Sequence, residues 1–312
     1  MKKLFVGVLC VVLSLSVQGK EVNMTSPDGK YQFTLSDSGG QLHYSLTWNG
    51  KQTVKPSLLG INANVEWRDG LEIGTVDSSQ KDTIWHPVYG ERSEIKDCYH
   101  AWKIVVNRQN GRDKLILDVR AYDEGIAFRY HFPGGQYLKI TDEYTEYTMP
   151  EGTKAYFTPK AQTPYSYLPL ENWPGESDRP LLLTLADGGY VCLAEAQVVD
   201  YVRTKFNVSP TKKNTVISAM YGPVEDIAPY STPWRVIMVG ERSVDLINNN
   251  DIVLNLNPAC KLADTSWIKP GKVFRSGDLK QDRVKAAIDF AAERGIQYVH
   301  MDAGWYGPEM KM

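Results

Sequence analysis

The segment that most constrains the fold of this chain is KLILDVRAYDEGIAFRYHF, Lys114 to Phe132. Leu115, Leu117 and Val119 alternate with polar neighbours, and after Asp123-Glu124-Gly125 the alternation resumes in Ile126, Phe128, Tyr130 and Phe132. A period of two puts each set on one face of a strand. The turn between them then makes a hairpin with one buried face. The same pattern runs from Tyr31 to about Leu256: YQFTL, LHYSLTW before Asn49-Gly50, AWKIVV before NRQNGRD, then KAYFT, LLLTLAD, YVCLAEA, TVISAMY and WRVIMVG. So many short strands without a periodic helix predict a large β-sandwich.

The character changes at SWIKPGK, residues 266–272. A short strand around Val273-Phe274 leads into LKQDRVKAAIDFAAER, where Val284, Ala287, Ile288 and Ala291 fall on one helical face. Asp278 with Gln281 reads as a capping box, Gly295 as a stop, and IQYVHM as a second strand ending at Asp302. This is a βαβ unit, the repeating element of a parallel sheet or barrel. A full eight-fold barrel needs on the order of 200 further residues, so the unit reads as the first piece of an incomplete one. The expected organisation is mainly β, with a signal peptide over 1–19, a sandwich domain over 20–265 and a barrel fragment over 266–312.

Lys2 and Lys3 precede an apolar run from Leu4 to about Leu15, followed by small and polar residues to Gly19. That is the pattern of a secretory signal, with cleavage expected near Gly19-Lys20 and a periplasmic or secreted product. The run is shorter than the roughly 20 residues of a spanning helix, and no later stretch is apolar enough to span a membrane. Cys10 sits inside the apolar run behind Leu9, where a lipoprotein site would want a small residue. Charge is nearly balanced, with 35 Lys plus Arg against 37 Asp plus Glu, and no basic stripe speaks for nucleic acid. Cys98, Cys192 and Cys260 remain after cleavage, an odd number with no CxxC pair, so one disulfide at most is expected. Eighteen Tyr and eight Trp suit a sugar-handling surface and a large β core equally.

No nucleophile elbow, Walker loop, HExxH or dinucleotide fingerprint occurs. The sharpest local signal is MDAGWYGPE at 301–309, where Asp302 ends a parallel strand and Trp305 follows. Parallel β/α folds place ligands at that end of their strands; an Asp there can accept sugar hydroxyls and a Trp face can pack on a pyranose. The alternative is that Asp302 caps the next segment and Trp305 is core. Glu195 in YVCLAEAQVVDY shares parity with Val191 and Leu193, which places a carboxylate on the inward face. It then needs a cation or a metal as partner. For Trp234-Arg235, and for His86, Tyr89 and Glu91 in WHPVYGER, spacing alone favours core packing and ordinary ion pairs. Five scattered His give no metal-ligand spacing, and the Asn207 sequon carries no weight in a bacterial-type chain.

In order and spacing, WHPVYGER, AYDEGIAFRY, LTLADGGYVCLAEAQVVDY, TPWRVIMVG, DTSWIKPGKVF and DFAAERGIQYVHMDAGWYGPE resemble glycoside hydrolase family 97 over nearly all of the mature chain. The resemblance implies a galactose mutarotase-like β-supersandwich ahead of a catalytic (β/α)8 barrel. It implies exo-α-glucosidase or α-galactosidase activity on α-linked oligosaccharides, with a calcium ion at the active site. It assigns Glu195, in the Glu195-Ala196 pair, as one calcium ligand, and Asp302 with Trp305 as sugar-contacting residues. The catalytic carboxylates and the other calcium ligands are expected in the absent barrel strands, so no residue here is assigned as catalytic. The expected function is therefore the N-terminal part of a secreted α-glycosidase, truncated before its catalytic carboxylates and inactive alone. Two competitors are a non-catalytic carbohydrate-binding sandwich and a mutarotase-like epimerase. A lone βαβ unit that cannot cover its own apolar faces speaks against the first, and the scattered histidines against the second.

Overall fold

A computed structural model describes residues 19–109 and 111–307. The expected export signal, apart from Gly19, lies outside the described residues. The chain divides into two units: described residues 19–85 with 95–258, and 86–94 with the described residues from 259 to 307.

Two antiparallel sheets build the first unit. One has seven strands in the spatial order Glu21–Thr25, Tyr31–Ser36, Leu42–Trp48, Lys51–Leu59, Glu146–Thr148, Thr215–Met220 and Thr204–Val208. The other has ten, its centre running from Leu181–Thr184 through Tyr190–Ala196, Trp234–Gly240, Gly125–Phe132 and Lys114–Tyr122 to the long Ile95–Arg108 and Leu71–Trp85 pair. Alternating side chains of both sheets merge in one core that includes Phe33, Tyr44, Leu117, Phe128, Leu193 and Ile237. The Phe33 and Tyr44 rings stack at 5.1 Å, and Phe128 from the facing sheet meets both at 6.0 and 5.4 Å. Tyr31 ties the sheets by polar contact as well: its hydroxyl donates to the Val239 carbonyl at 3.0 Å and accepts the Val239 N–H at 2.9 Å. A buried hydroxyl matched in this way avoids the desolvation loss of an unsatisfied group.

The Lys114–Phe132 hairpin forms in the expected register, with Tyr122 opposite Gly125 and Leu117 opposite Tyr130. It departs from expectation in having two buried faces near its turn. Tyr122 and Ala127, on the outer face, join Ala194, Trp234, Val236 and Met238 in a second apolar cluster. That cluster is closed by Leu246, Ile252 and Leu256 on two short helices and their exit, α1 (Ser243–Asn248) and α2 (Asp251–Asn255). At six and five residues the helices are too short to show a helical period in sequence.

In the second unit Val273–Arg275 pairs with Tyr298–His300 in parallel, joined by α3 (Gln281–Glu293). Ala287 and Ala291 are its buried positions, whereas Ile288 is half exposed. The capping box does not form. The N-cap is Lys280, which makes no side-chain cap, and Asp278 instead accepts the Lys280 N–H at 2.9 Å, one turn early. Gly295 ends the helix as expected, with φ 61 and the Ile296 N–H returning to the Ala291 carbonyl at 2.9 Å. No helix among the described residues is long and apolar enough to cross a membrane. Cys98, Cys192 and Cys260 are all free thiols.

Glu124, in the hairpin turn, is pushed from its ordinary 4.5 up to about 7 by burial, with Asp123, Asp251 and Asp28 adding to the rise. A carboxyl whose folded value is raised stays protonated in the fold while the unfolded chain ionises. Its stabilising contribution is therefore full below about 4.5 and falls as pH rises to about 7. Glu124→Gln should remove this contribution, flattening the urea-unfolding free energy between those pH values and raising stability at neutral pH. A pH slope unchanged by the substitution would show that Glu124 ionises freely.

Candidate functional site

Glu195 lies on the Tyr190–Ala196 strand, which pairs with Trp234–Gly240 so that Val191 faces Val239, Leu193 faces Ile237 and Glu195 faces Arg235. The first four are core residues. The parity of the sequence thus carries Glu195 to the inward face, and it carries its cation, Arg235, to the position opposite. Arg235 Nη1 donates to Glu195 Oε2 at 2.8 Å, and Thr204 Oγ1 donates to the same oxygen at 3.1 Å. Arg179 Nε stands 3.6 Å from it. The Glu195 side chain keeps 20% of its exposure and lines a cleft of about 690 Å³ with Arg179, Leu182, Cys192 and Met238.

Arg235 is fixed from its other side by Glu143. Its Nε donates to Glu143 Oε1 at 2.9 Å and its Nη2 to Oε2 at 2.5 Å, a bidentate pair in which both side chains are buried. Glu143 accepts further bonds from Thr145 Oγ1 at 2.7 Å and the Tyr201 hydroxyl at 3.4 Å. Burial alone would neutralise Glu143. The Arg235 charge and the hydrogen bonds of Arg235 and Thr145 outweigh it and hold the carboxyl below its ordinary range. Burial likewise works against the Arg235 charge, and Glu143 reverses that, keeping the guanidinium firmly cationic. For Arg179 the balance falls the other way: burial and the nearby Arg235 charge lower its value.

Spacing gave Arg235 to core packing and an ordinary ion pair; it is instead the hub of a buried network, while Trp234 is core as expected. Glu143, Arg179 and Tyr201 went unseen in sequence. Glu143 belongs to a two-residue strand, Asp142–Glu143, 92 residues from its partner, and no local period marks it. Tyr89 is exposed rather than packed in a core, and His86 Nδ1 lies 3.0 Å from the Ser93 carbonyl oxygen within the same loop.

Asp302 and Trp305 follow the Tyr298–His300 strand of the second unit in the chain. Arg275 Nη2 donates to Asp302 Oδ2. The Ala303 N–H first, and Arg275 second, keep the Asp302 carboxyl below its ordinary range. Trp305 is 65% exposed and meets the edge of Tyr306, ring centroids 5.3 Å apart at 85°, so it is not a core residue.

Calcium takes roughly six to eight oxygen ligands. Among the described residues no group of three His, Cys, Asp or Glu is placed to hold a metal. Glu195 is a single carboxylate with two guanidinium groups beside it. These residues fit calcium as one ligand of a larger set, and they do not form a calcium site by themselves.

The network sets opposite costs for its members. Arg235→Leu strands Glu143 in the interior, and removing one partner of a buried pair costs about 3–5 kcal/mol. Glu195→Gln leaves the Glu143–Arg235 pair intact at a partly exposed position and should cost no more than about 1 kcal/mol. Urea unfolding of both variants checks the order; equal losses would mean that Glu195, not Glu143, is the main counter-ion of Arg235.

Three comparisons bear on this arrangement. The chain is 27% identical over 362 aligned residues to a retaining alpha-galactosidase of Bacteroides thetaiotaomicron, covering 98% of this chain and 53% of that protein. It is 24% identical to a probable retaining alpha-galactosidase of Streptomyces bingchenggensis, covering 90% and 45%. A family 97 glycoside hydrolase from a Pseudoalteromonas strain, solved in complex with panose, superposes with a TM-score of 0.82 at 27% identity, covering 92% of this chain and 48% of that one. The chain thus spans about half the length of the relatives it matches. Residues 24–258 match the family model for the Glycosyl-hydrolase 97 N-terminal domain, and with three quarters of its length accounted for by that match the chain belongs to glycoside hydrolase family 97.

Proposed function

We propose that this chain is the N-terminal part of a secreted, calcium-dependent exo-α-glycosidase of the α-glucosidase or α-galactosidase type, acting on α-linked oligosaccharides. The observation that carries the reading is Glu195, a carboxylate held by Arg235 and Thr204 at the end of a strand in a family 97 sandwich. In this reading Glu195 gives one oxygen to calcium. The bound ion supplies positive charge that orients sugar oxygens. Arg235 Nη1 and Thr204 Oγ1 hold the Glu195 carboxylate in place. The panose and acarbose complexes of the Pseudoalteromonas enzymes support an α-glucoside substrate, and the curated relatives support an α-galactoside. Asp302 accepts hydroxyls of the bound sugar and Trp305 offers its exposed face to a pyranose ring, the role to which its 65% exposure is suited. The Lys2-Lys3 start and the apolar run behind it support export.

Glycosidic cleavage needs an acid on the leaving oxygen and a second carboxylate roughly 5 to 9.5 Å away. In a β/α barrel such groups come from the ends of several strands, and the described residues offer one βαβ unit. The catalytic pair is therefore assigned to sequence outside this chain. Purified alone, the 312-residue protein should turn over neither aryl α-glucosides nor aryl α-galactosides, with or without calcium. By calorimetry it should bind calcium no tighter than about 10⁻³ M, the weak end for protein sites. Calcium-stimulated turnover by this chain, lost in Glu195→Gln, would overturn the reading and make the sandwich itself the catalyst.

A further inference from the structure

Lys20 follows the expected cleavage point of the export signal, and the first strand joins the body of the sandwich through it. It extends the pairing of Glu21–Thr25 with Tyr31–Ser36 by one residue: Glu21 lies opposite Ser36, and the Asp37 N–H donates to the Lys20 carbonyl at 3.2 Å. The Asp37 side chain closes the pair from its own side, Oδ1 accepting the Lys20 N–H at 2.6 Å. Its second oxygen, Oδ2, accepts the Ile73 N–H at 2.7 Å, on the Leu71–Trp85 strand at the edge of the ten-stranded sheet. One carboxylate thus joins the N-terminal edge of one sheet to an edge of the other. Asp37 is 7% exposed, and both of its oxygens are met by peptide N–H groups. The Lys20 side chain is used elsewhere, its Nζ donating to the Gly74 carbonyl at 2.5 Å.

The residue before Lys20 is held closely as well. A Cβ at Gly19 would stand 2.6 Å from the N and Cα atoms of Ser38 and 2.8 Å from Asp37 Oδ1. Glycine fits this contact, and a small residue at the same position is what a signal peptidase reads. Cutting the Gly19–Lys20 bond changes the chemistry at Asp37. Hydrolysis adds one water: its hydroxyl goes to the Gly19 carbonyl carbon, the C–N bond breaks, and the Lys20 nitrogen leaves with a hydrogen. At pH 7 the new Gly19 acid gives up its proton and the Lys20 amine takes one, leaving a carboxylate and an ammonium. A neutral N–H donor thereby becomes a cation at hydrogen-bond distance from a largely buried carboxylate, and a charge-assisted bond is roughly twice as strong as a neutral one. Gly19 lines a cleft of about 630 Å³ with Lys20, Asp37, Gly39 and Glu72, so water can take its place around the ammonium.

We propose that removal of the export signal completes the sandwich: the α-ammonium created at Lys20 forms an ion pair with Asp37 that clamps the first strand to the Leu71–Trp85 edge. The inference rests on the export reading and adds to it a structural role for the cleavage itself. The uncut chain has only the neutral bond, and the stabilisation arrives with processing.

Mass spectrometry of the chain exported behind its own leader should give an N-terminus at Lys20. Thermal melting then compares this chain with one begun at Val17, in which the Lys20 nitrogen is again a peptide N–H and the terminal charge lies about 10 Å farther along the chain. The chain begun at Lys20 should melt roughly 2–4 °C higher at neutral pH. Asp37→Asn, which keeps an oxygen for the N–H and loses the charge, should bring the two to the same temperature. Should that variant fail to fold, pH decides. An α-amine ordinarily titrates at about 7.7–8.0 and titrates higher once paired with a carboxylate, so the gain is full below about 8 and is lost as pH rises through the folded value. Lys20 Nζ and Glu72, the charged groups that line the cleft with Asp37, are common to both chains and cancel in the difference. A start other than Lys20 would remove the export reading and this proposal together. A Lys20 start with equal melting of the two chains, a gain that survives Asp37→Asn, or one that persists unchanged to about pH 11, well above the ordinary α-amine range, would overturn the ion pair and leave export standing.

Discussion

The bidentate bond between Arg235 and Glu143 is the contact on which the candidate site depends. Arg235 lies on a central strand of the ten-stranded sheet, and Glu143 on a two-residue strand that pairs with Ile61–Asn62 in a separate small sheet. Neither charge could stay in the interior alone. Together they tie that small sheet to the ten-stranded sheet, and the third nitrogen of the fork is left to hold Glu195. Apolar residues of similar volume would hold the same layers with no loss of stability. Stability alone therefore does not account for the pair. What it provides, and a methyl group could not, is a fixed donor that orients the carboxylate at position 195.

The strand end carrying Glu195 is held from the outer face as well. Ala196 packs in the outer cluster with Trp234. Gln197 follows in the left-handed region, φ 54, and its Oε1 accepts a bond from Arg129 Nη1 at 3.1 Å. Arg129 is tied in turn to Asp118 at 3.0 Å and lies 4.3 Å over the Trp234 ring. Successive residues are thus clamped on opposite faces of the sheet, by a charge network inside and by an aromatic and amide contact outside. A side chain so placed moves little when solvent or ligand enters the cleft, the condition for a preorganised ligand group.

How much of this was legible in sequence follows from the range of the interactions. Alternation in Leu115 to Phe132 disclosed a strand pair because the partners are neighbours in the chain. Parity disclosed the inward direction of Glu195 for the same reason, since Leu193 and Val191 are two and four residues away. It could not disclose Glu143, because a contact across 92 residues leaves no local period. The outer cluster was missed because it is closed by helices α1 and α2, each too short to carry a periodic signal. Asp278 misled for a different reason: an acidic residue three before Gln281 satisfies the capping pattern, but its side chain serves the N–H of Lys280 in the preceding turn instead.

Charge accounting joins the inner network to its unpaired edge. Glu143 and Glu195 carry two negative charges against the two positive charges of Arg235 and Arg179, so the cluster is neutral in sum. It is not neutral in place. Arg235 takes both carboxylates within 2.9 Å, while Arg179 has only a hydroxyl at 3.0 Å and a carboxylate oxygen at 3.6 Å. The negative charge is drawn to the Arg235 side and the positive charge is left toward Tyr147, which makes a local dipole in a low-dielectric interior where such separation is strongly felt. A cation approaching Glu195 would deepen the positive field at Arg179, so the uneven hydrogen bonding of the two guanidinium groups sets the cost of placing a cation there.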